Sequence, residues 1–293
     1  SSIVISITLT AVGSFLFRRK RAMVMIESEK QLIRKFQTEP TKEICLLCNT
    51  KEEAELRSII QSKNFWNEWI DTSAHNAPPP DFYSDKYGLM MDVMKIEDNT
   101  RKGKKGKLYN PKAEKESQVY RKFKNAGVIT SETQDVVINA VTDLPTMEDH
   151  QFKWYFDSFE RVVSSHNNKI PLYQQNHENF KTIFFVYDES TAYTQLFAGQ
   201  TYIIPEKGQI NYVSPSQLHF YAHDIKFQSI IKNSDADYMI WYAPYKYYDK
   251  LSDGFRRLKQ PIYRAAIIDV KALKSGKSHS KNYIHGLMIS AEE

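Results

Sequence analysis

Two periods of apolar spacing run through this chain and replace one another repeatedly. Phe152, Tyr155, Phe156, Phe159 and Val163 recur at helical spacing, so 146–165 is expected to be a helix with one apolar face. Residues 28–36 read as a helix with Ser28 in the cap position, and residues 51–62 as another behind the cap Thr50. Glu52 and Glu53 then fall in its first turn, where the helix dipole favours acids. Phe65, Trp66, Trp69 and Ile70 carry the apolar face onward until 76–80 breaks it with three prolines. Residues 114–125 form a further expected helix, ended near Gly127. Largely apolar runs mark strands at 43–48, 87–96, 180–187, 237–242 and 263–271, with a short strand or helical piece at 136–142 and a short strand at 193–197. Helices and strands alternate, which predicts an α/β or α+β chain with a mixed central sheet flanked by helices.

The N-terminus allows two readings. The second half of 2–10 alternates polar and apolar residues at strand period, and Gly13-Ser14 could turn it back, so 1–27 reads as a strand hairpin. Residues 3–17 are also almost free of charge and precede Arg18-Arg19-Lys20-Arg21, the pattern of an anchor or its remnant with its basic side in the cytoplasm. The run is shorter than the ~20 residues of a span. Residues 28–293 show no repeat and no clear boundary, and read as one domain in the cytoplasm, or held at a membrane by the first segment.

Composition narrows the chemistry only a little. The 293 residues are 41% hydrophobic and 26% charged, enough to bury a core. Aromatics make up 13%, most of them expected in strands and half-buried faces. The net charge of +5 is compatible with a nucleic-acid partner. Cys45 and Cys48 form a C-x-x-C with no second pair to complete a zinc site, so they read as reduced core thiols. His219 and His223 stand four apart without the glutamate of a metalloprotease motif. The phosphate-binding, dinucleotide and nucleophile-elbow glycine patterns are missing, which excludes the enzymes that need them.

The candidate chemistry lies in Pro78-Pro79-Pro80-Asp81-Phe82, followed by Leu89-Met90-Met91-Asp92-Val93-Met94-Lys95-Ile96. One carboxylate follows a rigid proline run, and a second stands with a lysine inside an apolar strand. A charge at Asp92 is costly among Met and Val unless it has a partner. Paired carboxylates bind a hard cation, and a lysine beside them can orient water.

On these residues the segment from Glu55 to Lys95 resembles the core of the restriction-endonuclease-like, or PD-(D/E)xK, nucleases. The resemblance implies Mg²⁺- or Mn²⁺-dependent cleavage of nucleic acid, with Asp81 and Asp92 on the metal, Lys95 positioning water, and Glu55 as an outer ligand from a helix. Glu52 and Glu68 are alternative helix acids. The family places one residue between acid and lysine, whereas two stand here, Val93 and Met94. Only a bulge would bring Lys95 to the face of Asp92; in a regular strand the two point apart. A correctly spaced second match, Asp269-Val270-Lys271, lacks an upstream Pro-Asp. Arg101, Lys102, Lys104, Lys105 and Lys107 form a basic loop expected to meet phosphates. The competing expectation is a binding or structural protein on a degenerate fold of this kind, without catalysis.

Overall fold

The computed structural model describes residues 3–7, 29–72, 80–97, 101–102, 108–128, 136–140, 152–190, 192–194, 201–203, 210–212, 221–244, 263–278 and 288–290. Its centre is a seven-stranded sheet. In chain order the strands are β1 (Ile44–Leu46), β2 (Ile70–Asp71), β3 (Phe82–Ser84), β4 (Leu89–Ile96), β5 (Lys181–Asp188), β6 (Tyr238–Tyr242) and β7 (Ala265–Asp269). Their spatial order is β1-β7-β6-β5-β4-β3-β2. β4, β5 and β6 run parallel; β7 is antiparallel to β6, and β3 to β4. The chain is therefore α/β with a mixed sheet.

Helices cover both faces, which is why the central strands are apolar without alternation. All of β5 after Lys181 is buried. Even-numbered residues of β4 and β5, such as Met90, Met94, Phe184 and Val186, face one apolar layer. Helices α5 (Phe152–Asn167), α6 (Ile170–Asn176), α7 (Ile225–Lys232) and α8 (Val270–Lys274) close this layer. Odd-numbered residues, among them Met91, Val93, Ile183 and Phe185, face a second layer. It is closed by α1 (Glu29–Gln37), α2 (Lys51–Ile60) and α3 (Phe65–Glu68). Helix α4 (Pro111–Asn125) follows β4 in the chain. Much of the aromatic content packs inside: Phe227 lies 5.1 Å from Phe159 and 5.2 Å from Trp241 by ring centroids.

Local signals explain several ends. Thr50 and Glu53 form a reciprocal capping box at the start of α2. The expected 51–62 helix stops at Ile60, and the aromatic run beyond it is the separate turn α3, leading to edge strand β2. Residues 87–96 split into a turn and β4, with Gly88 at φ 59° where a left-handed residue is required. The expected strand 263–271 ends at Asp269, whose side chain accepts the Ala272 N–H and starts α8. Helices α6 and α7 had no assigned sequence signal.

Ile3–Ile7 is a strand, but its partner is Val136–Ala140, in parallel register from Ile3 opposite Val136 to Ile7 opposite Ala140. The rest of the expected hairpin, and the whole of the basic run Arg18-Arg19-Lys20-Arg21, lie outside the described residues. Among the described residues no helix is long and apolar enough to cross a membrane.

Candidate acid–base site on the central sheet

Asp81 reaches its place through the β3–β4 hairpin. The ladder pairs Phe82 with Met91, so Asp81 comes beside Asp92 just beyond the last pair. Thr72 pins this end: its N–H donates to the Asp81 carbonyl at 2.8 Å and its hydroxyl to that of Pro80 at 2.5 Å. The Asp81 carboxylate then replaces the missing ladder bond, its Oδ2 accepting the Val93 N–H at 2.6 Å.

Asp92 lies mid-strand on the even-numbered face and is 2% exposed. Two groups from the covering helices meet its Oδ2: the Tyr173 hydroxyl of α6 donates at 2.7 Å, and His166 Nδ1 of α5 lies at 2.5 Å. His166 occupies the last turn of α5, where the dipole favours a cation. With Asp92 ionised, Nδ1 carries the shared proton and Nε2 is left as an acceptor. Among the described residues nothing bonds Nε2.

The two carboxyl groups cannot both ionise cheaply. Burial, and then the Asp92 charge, push the Asp81 carboxyl up to about 8; a hydrogen bond to Asp92 and the charge of Glu29 add to the rise, against the Val93 N–H. At neutral pH the pair therefore holds one proton between them. Burial and the Asp92 charge also push the Tyr173 phenol far upward, which keeps it a donor.

Lys95 does not join this site. The pairing of β4 with β5 runs unbroken from Leu89 opposite Lys181 to Ile96 opposite Asp188, with no bulge at Val93 or Met94. In a regular strand, residues three apart take opposite faces. Lys95 therefore shares the side of Val93, where its Nζ lies 3.0 Å from Glu189 Oε1 and 5.7 Å from the Tyr187 ring centroid. This corrects the expectation that a bulge returns the lysine to Asp92. Such a half-exposed ion pair is worth under about 1 kcal/mol. Lys95→Met is accordingly expected to leave the melting temperature within about 3 °C of the parent, and to leave any cation-induced shift unchanged. A large loss of that shift would place the lysine at the site after all.

The helix acids are also redistributed. Glu55 and Glu52 are exposed on α2, whose buried Leu56 and Ile60 pack into the opposite layer from Asp92. Glu68 accepts from Lys86 Nζ and the Tyr87 hydroxyl, each at 2.6 Å, and these bonds hold its carboxyl below the usual range. The helix acid whose charge acts on Asp81 is Glu29, at the start of α1. Asp269, the acid of the second D-x-K, caps α8, so this triplet is not a strand site.

His166 and Tyr173 were missed by sequence reasoning because they stand 74 and 81 positions from Asp92. One signal was available: His166 continues the stripe Tyr155, Phe159, Val163 one helical step further. Of the basic loop, Arg101–Lys102 pairs with Leu108–Tyr109; Lys104, Lys105 and Lys107 lie outside the described residues, as does His219. Cys45 and Cys48 are free and buried, and burial with the nearby Glu53 charge pushes both thiols up to about 12. They are protonated and poor nucleophiles.

Two carboxylates side by side suit a hard cation. Asp92 Oδ1 and Asp81 Oδ1 take no N–H from the described residues, and the proton the pair shares is what a cation would displace. Among the described residues no set of three or more His, Cys, Asp and Glu side chains is placed to ligate a metal. Water and substrate would have to complete the shell, as is usual for Mg²⁺. No family model matches this chain, and no curated protein or solved structure matches it either.

Proposed function

We propose that the Asp81–Asp92 pair and His166 form a hydrolytic site for nucleic-acid phosphodiesters, assisted by Mg²⁺ or Mn²⁺, on a core related to the restriction-endonuclease-like nucleases. The observation that carries this reading is the convergence of two carboxylates and an imidazole at one buried point of the sheet. The net charge of +5 and the basic segment after β4 favour a polyanionic substrate. A bound cation would supply charge neutralisation at the phosphoryl oxygens. Asp81 and Asp92 would hold it, and Tyr173 would fix the Asp92 oxygen that orients His166. His166 Nε2 accepts the proton of the attacking water as the new P–O bond forms. The ester P–O bond breaks, and its oxygen takes a proton from solvent. In this reading His166 takes over at the water the role that the resemblance gave to Lys95. The protonated thiols fit a reducing cytoplasm, which belongs to the same proposal.

A second reading rests on the displacement of Lys95 to Glu189. An acidic pair without its lysine suits a protein that binds nucleic acid without cutting it. One experiment separates the two. The chain and its Asp92→Asn variant are incubated with labelled single- and double-stranded DNA and RNA in millimolar Mn²⁺, and melted in parallel. Cleavage by the parent alone, with a Mn²⁺-induced rise of about 4 °C that the variant lacks, is the expected result. Binding without cleavage favours the second reading. No thermal shift and no cleavage would remove the cation site.

A further inference from the structure

A row of half-buried rings stands beside the carboxylate pair. Tyr83 is two residues beyond Asp81 on an extended stretch, so both side chains take the same face about 7 Å apart. Its ring centroid lies 4.1 Å from that of His177, the planes at 38°. His177 is in turn 5.3 Å from Phe180. His177 follows Tyr173 by four residues at the end of α6, so the row approaches Asp92 from the helix side as well. All three rings are partly exposed. Neither the Tyr83 hydroxyl nor a ring nitrogen of His177 bonds to a described residue.

Rings recruited only for packing are usually buried deeper, and buried polar tips are usually paired. The knot around Phe227 shows the packing solution in this same molecule: Tyr155 is fully buried, with its hydroxyl on Asp188. Phe152 and Phe156 at the margin of that knot are partly exposed as well, as Tyr83 and Phe180 are against the same core; the Tyr83 row differs in that the polar edges of Tyr83 and His177 bond to no described residue. An accessible ring with free polar edges accepts another flat ring with hydrogen-bonding edges.

We propose that Tyr83 and His177, backed by Phe180, are a stacking platform for an unpaired base of single-stranded nucleic acid, one strand step from the Asp81–Asp92 pair. This rests on the nucleic-acid reading above and makes the substrate single-stranded. In a duplex both faces of an internal base are covered by its neighbours, so the platform can take only an unstacked one.

The test uses the full chain in EDTA, where cation-dependent cleavage is off. Fluorescence anisotropy reads binding of a labelled 12-nucleotide oligothymidine, the corresponding oligouridine and a blunt duplex of the same length. The single strands are expected to bind more tightly than the duplex. Tyr83→Leu and His177→Leu each weaken single-strand binding about tenfold, the loss typical of one base–ring stack. Tyr83→Phe and His177→Phe retain it, and duplex binding does not change. Leucine keeps the apolar contact, and melting curves confirm folding; if Tyr83→Leu does not fold, the His177 pair of variants decides. Equal single-strand affinity in the Leu and Phe variants overturns the platform, as does a parent that binds no single strand. Ring-dependent binding with no cleavage in Mn²⁺ keeps the platform and removes the hydrolytic reading. Cleavage that needs Asp92 but is indifferent to both rings does the reverse.

Discussion

Asp81→Asn is expected to raise the melting temperature by about 5 °C at pH 9 and to change it little near pH 4. The Asp81 carboxyl is raised from 3.8 to about 8 by burial and by Asp92. Between those values the folded chain keeps a proton that the unfolded chain releases. Where the folded state binds more protons, stability falls as pH rises. The favourable contribution is complete below the unfolded pKa and is lost as pH climbs through the folded one. Asparagine reproduces the protonated form at every pH: its oxygen can still accept the Val93 N–H and its amide can donate to Asp92. The variant should therefore gain on the parent across pH 4 to 8 and hold a constant lead above. The full shift sets an upper bound that partial exposure and sharing with Asp92 reduce to on the order of 2 kcal/mol. Melting curves at five pH values between 4 and 9 check it. A difference that does not vary with pH would show that the two carboxyl groups do not share a proton.

Glu53→Ala should cost far more, on the order of 4 kcal/mol, or a fall of about 10 °C. Glu53 is fully buried, and its two oxygens accept three backbone N–H groups: Cys48 at 3.0 and 3.1 Å, Thr50 at 3.2 Å and Asp269 at 2.9 Å. The first two belong to the β1–α2 junction and the third to the β7–α8 junction, 216 positions away. Alanine leaves three buried donors without an acceptor and opens a cavity. Glu53→Gln keeps one oxygen and turns an amide group toward donors, so about half of the loss is expected. Denaturant unfolding of both variants checks the order. A loss below about 1 kcal/mol in Glu53→Ala would mean that water replaces the carboxylate.

The contrast between Glu53 and Asp92 shows how far local pattern reaches. Thr50 and Glu53 stand three apart, and their mutual capping is a property of one helical turn, so the start of α2 was legible. That Glu53 also holds Asp269 was not, because nothing near Glu53 encodes a partner two hundred residues on. Asp269-Val270-Lys271 matched a nuclease triplet in letters, yet an aspartate at a strand end caps a following helix equally well. Which role it takes depends on whether the chain continues straight or turns, as it does here into α8.

The same division holds for the site. Alternation in a strand, with period two, already stated that Asp92 and Lys95 would part unless a bulge intervened. Whether a bulge existed was a matter of register against β5, whose residues pair with those of β4 across about ninety positions of chain. The apolar runs of β4, β5, β6 and β7, alternating with helical stripes, pointed from sequence to a sheet buried between helices, because a strand apolar on both faces needs cover on both. Asp92 within such a run determined that a buried charge needed partners. Only the tertiary structure decided which: Asp81 across the hairpin, His166 from α5 and Tyr173 from α6, with Glu29 acting on Asp81 from α1. Hydrophobic period is a local quantity, repeated over a few residues and readable from them. Partners of a buried charge are chosen by how helices separated by scores of residues pack on one face of the sheet, and no short stretch of the chain carries that choice.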